Sequence, residues 1–129
     1  MLKLGKKNSQ RQLKVSEHLK RALSEILQQY LFKSGKDSFF SIIISEVNIS
    51  MDLKIAKIFV IPFSENNMSI KDEEVLEALN LENQTIRKKL GSNIGLRFTP
   101  RLYFRTDSLA LEAKKIDNLF KNPKVAQDL

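Results

Sequence analysis

The stretch VNISMDLKIAKIFV, residues 47–60, joins two apolar segments through a short polar connection. The upstream segment, Phe39 to Ile49, is rich in β-branched residues, and the downstream segment, Leu53 to Pro62, carries apolar residues at alternating positions. Both patterns are typical of strands, and the second strand is expected to end at its proline. The connection is too short for a crossover, which predicts an antiparallel hairpin. Asp52 is expected to stabilise the turn by accepting bonds from nearby backbone N–H groups.

Helical periodicity flanks this hairpin on both sides. From about Gln12 to Lys33, apolar residues recur at three- and four-residue steps, which predicts an amphipathic helix. The order of elements predicts an α+β domain, a three-stranded sheet with helices on one face. The elements expected after the hairpin are a helix over 69–81, a break at Glu82, Asn83 and Gln84, a helix to Ile94, a strand over 101–106 and a last helix ending near Asn122.

Composition limits the class of function. The chain of 129 residues has no cysteine, which excludes disulfides, thiolate nucleophiles and cysteine-ligated zinc, and His18 is the single histidine. Asp72, Glu73, Glu74 and Glu77 form the one dense carboxylate cluster, which we interpret as acids complementing the positive end of a helix. No nucleophile elbow or phosphate loop is present. We therefore predict a protein without catalytic residues, metal or cofactor.

The distribution of charge indicates a polyanionic partner. The net charge is +7, with eight basic and two acidic residues over 1–33, four and eight over 34–81, and ten and five over 82–129. Two basic ends therefore flank an acidic middle.

We divide the chain into a basic segment over 1–10, an RNA-binding domain over 11–121 and a flexible tail over 122–129. With no apolar run of roughly 18 residues and no signal peptide, a cytoplasmic location and no membrane contact are expected.

Basic side chains are the candidate RNA contacts, because phosphate contacts from lysine and arginine supply most sequence-independent affinity. Lys54, in the acidic middle, is expected to stand apart from them. Phe98 and Tyr103 could stack on bases, although such aromatic residues belong more often to the core. The alternative for each basic residue is a merely solvated surface position. The predicted RNA-binding residues are Arg11, Lys14, Arg21, Arg87, Lys88, Lys89, Arg97 and Arg101.

Three motifs carry a resemblance to a known family. They are Arg11-x-x-Lys14-Val15 in the first helix, Val47-x-Ile49-Ser50-x-Asp52-Leu53-x-x-Ala56-Lys57-Ile58-x-Val60 in the hairpin, and Ile86-Arg87-x-x-Leu90-Gly91 followed by Leu96-Arg97-x-x-Pro100-x-Leu102-x-Phe104-x-x-Asp107. Together they resemble the ribosome-binding factor A family over residues 11–120. The resemblance implies a type II K-homology fold and binding to small-subunit ribosomal RNA during late maturation, notably in the cold.

The resemblance also implies a helix kink at an Ala-x-Gly motif, whose positions are taken here by Glu82, Asn83 and Gln84. Asn83 can adopt the left-handed conformation that breaks a helix, whereas Glu82 and Gln84 disfavour close approach of a phosphate. The favoured hypothesis is a monomeric, non-catalytic assembly factor that binds the small ribosomal subunit, together with other assembly factors in some complexes. The alternatives are a module that binds an acidic protein and, more distantly, an RNA-processing enzyme.

Overall fold

The structure, a computed structural model, describes residues 9–33, 39–64 and 70–107. The predicted last helix, the tail over 122–129 and most of the basic segment over 1–10 lie outside these residues. The six elements, in chain order, are α1 (Gln10–Leu27), β1 (Phe32–Lys33), β2 (Phe39–Ile49), β3 (Ile55–Phe63), α2 (Asp72–Asn93) and β4 (Arg101–Thr106).

The predicted hairpin is present, and it organises the sheet. β2 pairs antiparallel with β3, from Ser41 opposite Phe63 to Ile49 opposite Ala56. β3 then pairs parallel with β4, and the sheet order is β1-β2-β3-β4. Parallel neighbours need a long crossover, which here contains α2. The predicted α+β class is therefore confirmed, with four strands in place of three.

One face of the sheet forms the core with both helices. Alternate residues of the strands are buried there, among them Ile58 on β3 and Leu102 on β4. Leu19 and Leu23 of α1 and Leu79 of α2 cover them. The opposite sheet face carries exposed side chains such as Ile43 and Tyr103. All the surfaces described below are arranged around this core.

The first helix ends earlier than its periodicity predicted. α1 stops at Leu27, and Lys33, expected in the last helical turn, instead pairs with Phe39 in the two-residue strand β1. Phe32 pairs with Phe40, and their rings stack with centroids 5.6 Å apart. The Phe32 ring is buried in this stack, which favours the strand over a further helical turn. This tertiary contact accounts for the fourth strand.

Pro62 does not end its strand, contrary to expectation. It pairs with Ile42 in β2, and β3 continues to Phe63. The pairing of β3 with β4 ends earlier, at Val60 opposite Thr106. Pro62 therefore lies where the described residues flank β3 with a strand on one side only, and there the missing N–H of proline is tolerated.

The break predicted at Glu82, Asn83 and Gln84 is also absent. One helix, α2, runs through all three residues, and Leu53 is the one non-glycine residue with positive φ in the described chain. The buried residues of α2 are Val75, Leu79, Ile86 and Leu90, at spacings that keep them on one face of a continuous helix. The Asn83 side chain donates to the Leu102 carbonyl at 3.0 Å. This bond holds Asn83 against the edge strand in a helical conformation.

Gln12 ties the start of α1 to the sheet. Its backbone N–H and side-chain oxygen form a capping box with Ser9, and its side-chain nitrogen donates to the Ile49 carbonyl at 3.1 Å. The side chain is only 7% exposed, so the Ile49 carbonyl has little access to a replacement partner.

Replacing Gln12 with alanine should destabilise the fold by about 1 kcal/mol, because half of the capping box and the bond to Ile49 are lost together. Urea unfolding followed by circular dichroism would measure the change. Gln29→Ala, an exposed glutamine outside α1, is the matched control. Equal stability of Gln12→Ala and the wild type would show that the cap is dispensable.

Candidate nucleic-acid interface

The segment that joins α2 to β4 is held against α2 by Arg87. The guanidinium donates to the Thr99 carbonyl at 2.7 Å and to the Pro100 carbonyl at 3.1 Å. Arginine presents its donors in a rigid fork, which fits two successive carbonyls. Arg87 was predicted to contact RNA, and the structure shows that its side chain also holds the loop before β4 against α2.

Gly91 allows this segment to approach α2 closely. A Cβ atom added at Gly91 would lie 2.8 Å from the Thr99 hydroxyl oxygen, closer than side-chain carbon atoms normally come. A larger residue would therefore require the Thr99 side chain to rotate or to move away from the helix. Since Thr99 also supplies a carbonyl to Arg87, Gly91 and Arg87 fix the same part of the loop.

Two clefts lie on either side of this loop. The first has a volume of about 560 Å³ and lies between α2 and the loop; the second, of about 200 Å³, lies between the loop, the hairpin turn and the start of α1. Arg97 and Phe98 line both clefts, so the two form one continuous surface, which we call the two-cleft surface. The other lining residues are Gln84, Arg87, Lys88, Gly91 and Thr99 in the first cleft and Arg11, Asp52, Leu53, Lys54 and Leu96 in the second.

The two-cleft surface is strongly basic. Five of its side chains are cationic and one, Asp52, is anionic. The Asp52 carboxylate already accepts from the Ser50 hydroxyl at 2.6 Å and from the Lys54 backbone N–H at 3.1 Å. Its charge is therefore engaged within the turn. Concave surfaces with an excess of one charge concentrate ligands of the opposite sign.

Asp52 has the structural role predicted from the sequence. Its bond to the Lys54 N–H closes an Asx turn, and the Ser50 hydroxyl also accepts from the Ile55 N–H at 3.0 Å. Leu53 has a φ of 62°, a left-handed conformation that is unfavourable for a leucine. The side-chain bonds of Ser50 and Asp52 hold the turn in this conformation. They thereby position Leu53 and Lys54 in the second cleft.

The charge of Asp52 should make the turn sensitive to acid. The hydrogen bond from Ser50, followed by that from the Lys54 backbone, holds the pKa of the Asp52 carboxyl below its ordinary value. Because the pKa falls on folding, ionised Asp52 stabilises the protein above the unfolded-state value of about 4 and loses this effect as the pH falls through the folded value.

We expect Asp52→Asn to lower the melting temperature at neutral pH, with the difference from the wild type shrinking below about pH 4. Thermal unfolding across a pH series would measure this. Asparagine keeps the side-chain acceptor of the turn, so the comparison isolates the charge. A difference that persists unchanged at pH 3 would contradict the assignment.

Four of the predicted RNA-binding residues do not line the two-cleft surface. Lys89 turns towards the segment between α1 and β1, where its ammonium lies 3.3 Å from the Tyr30 hydroxyl and 4.7 Å from the centre of the Tyr30 ring. Lys14 and Arg21 are exposed on α1 but line neither cleft. Arg101 alternates with buried Leu102 and so lies on the open face of the sheet. Arg11, Arg87, Lys88 and Arg97 are the predicted residues that the structure brings together.

The structure places Lys54 beside the candidate RNA contacts, whereas the sequence predicted that it would stand apart from them. Its position in the acidic middle of the chain suggested a residue apart from any RNA contact, yet it lines the second cleft with Arg11 and Arg97. The Arg101 N–H donates to the Lys54 carbonyl at 2.8 Å, so the turn and the start of β4 are adjacent. A parallel pairing of the third predicted strand with the hairpin would have indicated this proximity. Of the predicted break, Gln84 lines the first cleft and Glu82 lines neither.

The described ranges contain neither a membrane-spanning helix nor a metal-binding cluster. Neither helix there has the length and apolar composition needed to cross a membrane. No group of three or more histidine, cysteine, aspartate or glutamate residues is arranged there to hold a metal ion.

The fold and the two-cleft surface define a small α+β domain with a basic concave surface. The sequence profile of the family Ribosome-binding factor A matches residues 11–120, and the chain belongs to this family. Factors of this name from Hyphomonas neptunium and Phenylobacterium zucineum are 37% and 39% identical to it over 121 residues, which cover 94% of this chain and 89% and 81% of theirs.

Solved structures agree with the fold. The crystal structure of ribosome-binding factor A from Thermus thermophilus superposes with a TM-score of 0.58 at 23% identity, covering 74% of this chain and 93% of that one. A homology model of the Thermus thermophilus factor, fitted into a cryo-electron microscopy map of a 30S complex, gives 0.55 at 26% identity, covering 70% and 88%.

Proposed function

We propose that this protein binds the small ribosomal subunit through its ribosomal RNA and assists late maturation of the subunit without catalysing a reaction. The observation that carries the proposal is the two-cleft surface, where α1, the hairpin turn, α2 and the loop before β4 bring five cationic side chains together. The family is named for binding ribosomes, and its Thermus thermophilus member has been fitted into a 30S complex.

The electrostatics of this surface suit a nucleic acid backbone. Lysine and arginine side chains that neutralise phosphates release the counterions condensed on the nucleic acid. Such binding therefore depends steeply on the salt concentration. Lys88 and Arg97 are exposed, and their side chains form no hydrogen bond with the described residues, whereas Arg87 is partly engaged by carbonyl groups. Arg11, Lys54, Lys88 and Arg97 are therefore the side chains we propose as direct phosphate contacts.

Co-sedimentation with purified small subunits across a potassium chloride series tests the proposal. We expect binding at low salt whose logarithm falls linearly with the logarithm of the salt concentration. Large subunits at the same concentration are the control for general affinity to ribosomal RNA. Equal binding to both subunits would show general affinity for ribosomal RNA instead of recognition of the small subunit, and absence of binding even at low salt would count against the proposal and favour an acidic protein as the partner.

Catalysis is not part of the proposed function. A processing enzyme would need a positioned nucleophile, base or metal. The one carboxylate of the two-cleft surface, Asp52, accepts bonds from the Ser50 hydroxyl and the Lys54 N–H within the turn. Precursor ribosomal RNA incubated with the protein and magnesium should remain intact on a denaturing gel. Specific cleavage that disappears on mutation of a single acidic residue would overturn this part of the proposal.

The proposed setting follows from the proposed partner. A factor that matures the small subunit works where ribosomes assemble, which is the cytoplasm of a bacterial cell. We propose that it acts as a monomer, in some complexes beside other assembly factors, and that the requirement for it increases in the cold. Growth and subunit profiles of a deletion strain at low and optimal temperature would test this last point.

A further inference from the structure

We propose that Phe98 is a stacking platform for an unpaired RNA base, with the two flanking clefts holding the phosphates on either side. This inference rests on the proposed function and specifies the form of RNA that the surface recognises. Phe98 is 63% exposed and is the one aromatic residue that lines either cleft.

The position of Phe98 between the clefts separates it from the other exposed aromatic side chains of the described residues. Phe39, Phe63 and Tyr103 are exposed on strands and line neither cleft. Phe98 instead has Lys88 in the cleft on one side, Arg11 and Lys54 in the cleft on the other, and Arg97 in both. An aromatic face within a groove of cations is the arrangement by which proteins bind single strands, since each base has a flat face and each nucleotide carries a phosphate.

The loop that carries Phe98 is fixed at both ends. At one end, the Ile94 N–H donates to the Leu90 carbonyl at 3.1 Å, and the Ile94 side chain is buried. At the other end, Arg87 bonds the carbonyls of Thr99 and Pro100, and Pro100 is fully buried. A ring held on a fixed loop loses little conformational freedom on binding, which favours affinity.

An unpaired base is the ligand that this geometry favours over a duplex. In an A-form helix the faces of the bases are covered by their neighbours, so a protein aromatic ring cannot stack on them. Loops, bulges and ends of ribosomal RNA present unstacked bases. The surface would then distinguish single-stranded segments of the immature subunit from helices, although both carry the same phosphate charge.

A tryptophan at position 98 provides a direct test, because the protein contains no tryptophan. Fluorescence of Phe98→Trp should be quenched when a short single-stranded oligoadenosine is added, and little changed by an equal nucleotide concentration of a long RNA duplex, in which only the two terminal base pairs have an uncovered face. Lack of quenching by the oligoadenosine, in a variant that still co-sediments with small subunits, would overturn the stacking inference and leave the proposed function intact.

Affinity measurements on Phe98→Leu complete the test. Loss of the ring should weaken binding of the oligoadenosine by about 5- to 150-fold, the range for one base–aromatic stack. Duplex binding and the salt slope should not change, since no charge is removed. Phe39→Leu, the same substitution at a ring 50% exposed on β2 and outside both clefts, is the matched control. Equal oligoadenosine affinity of Phe98→Leu and the wild type would also overturn the inference.

Discussion

Replacing Arg11, Lys88 and Arg97 together with glutamine is expected to weaken binding to the small ribosomal subunit by about 10- to 100-fold near physiological salt. The three side chains come from α1, α2 and the loop before β4, and they meet only in the two-cleft surface. Removing one cation that binds a phosphate should reduce the salt slope by about one unit, so the triple variant should lose about three. Glutamine keeps much of each apolar stem, and all three side chains are exposed, so the fold should persist.

A matched triple variant separates local from overall charge. Lys20, Lys57 and Lys71 are exposed and line neither cleft. Lys71 directly precedes α2, and the rise of a helix puts it about 25 Å along the axis from Lys88. Changing these three lysines to glutamine removes the same net charge. If this control reduces affinity and salt slope as much as the first variant, binding depends on overall charge and the two-cleft surface is wrong.

The elements that could be predicted from sequence are those specified by short-range patterns. The hairpin was predictable because alternation in two segments and a Ser50–Asp52 turn indicate the same structure. The pairing of Phe32 with Phe40 was not, because it depends on a ring stack between residues outside any periodic segment. The continuity of α2 was hidden by the polar residues Glu82 to Gln84. The spacing of Leu79 and Ile86 across them was in fact that of a single helix.

In the candidate site, too, the sequence predicted some members and missed those that depend on tertiary contacts. Charge counted along the chain identified Arg11, Lys88 and Arg97 correctly as members of a basic surface, a role that remains a proposal for RNA. It missed Lys54, because the parallel pairing of β3 with β4 brings the hairpin turn next to the loop after α2. It also could not distinguish a lysine that faces solvent, Lys88, from its neighbour Lys89, whose ammonium lies over the Tyr30 ring. Side-chain partners of this kind are set by tertiary packing.

Arg87 allows the positioning of the loop to be separated from its charge. Arg87→Lys keeps the cation, but an ammonium on a flexible stem cannot reproduce the fork that joins the Thr99 and Pro100 carbonyls at 2.7 and 3.1 Å. Since Arg87 is exposed, solvent compensates part of the loss, and we expect destabilisation of only about 1 kcal/mol. The melting temperature should fall by about 2–6 °C.

Arg87→Lys should also weaken binding to the small subunit by about tenfold, because a small shift of the loop moves its contact groups out of position and lowers the affinity. The salt slope should stay that of the wild type, because the number of cations is unchanged. Lys88→Gln should do the reverse, with a lower slope and an unchanged melting temperature, because Lys88 is exposed and charge is what it contributes to the first cleft. Salt-series co-sedimentation and thermal unfolding of the two variants, side by side, measure both quantities. A reduced salt slope in Arg87→Lys, or wild-type affinity despite a lowered melting temperature, would show that the loop does not need to be fixed for the two-cleft surface to bind.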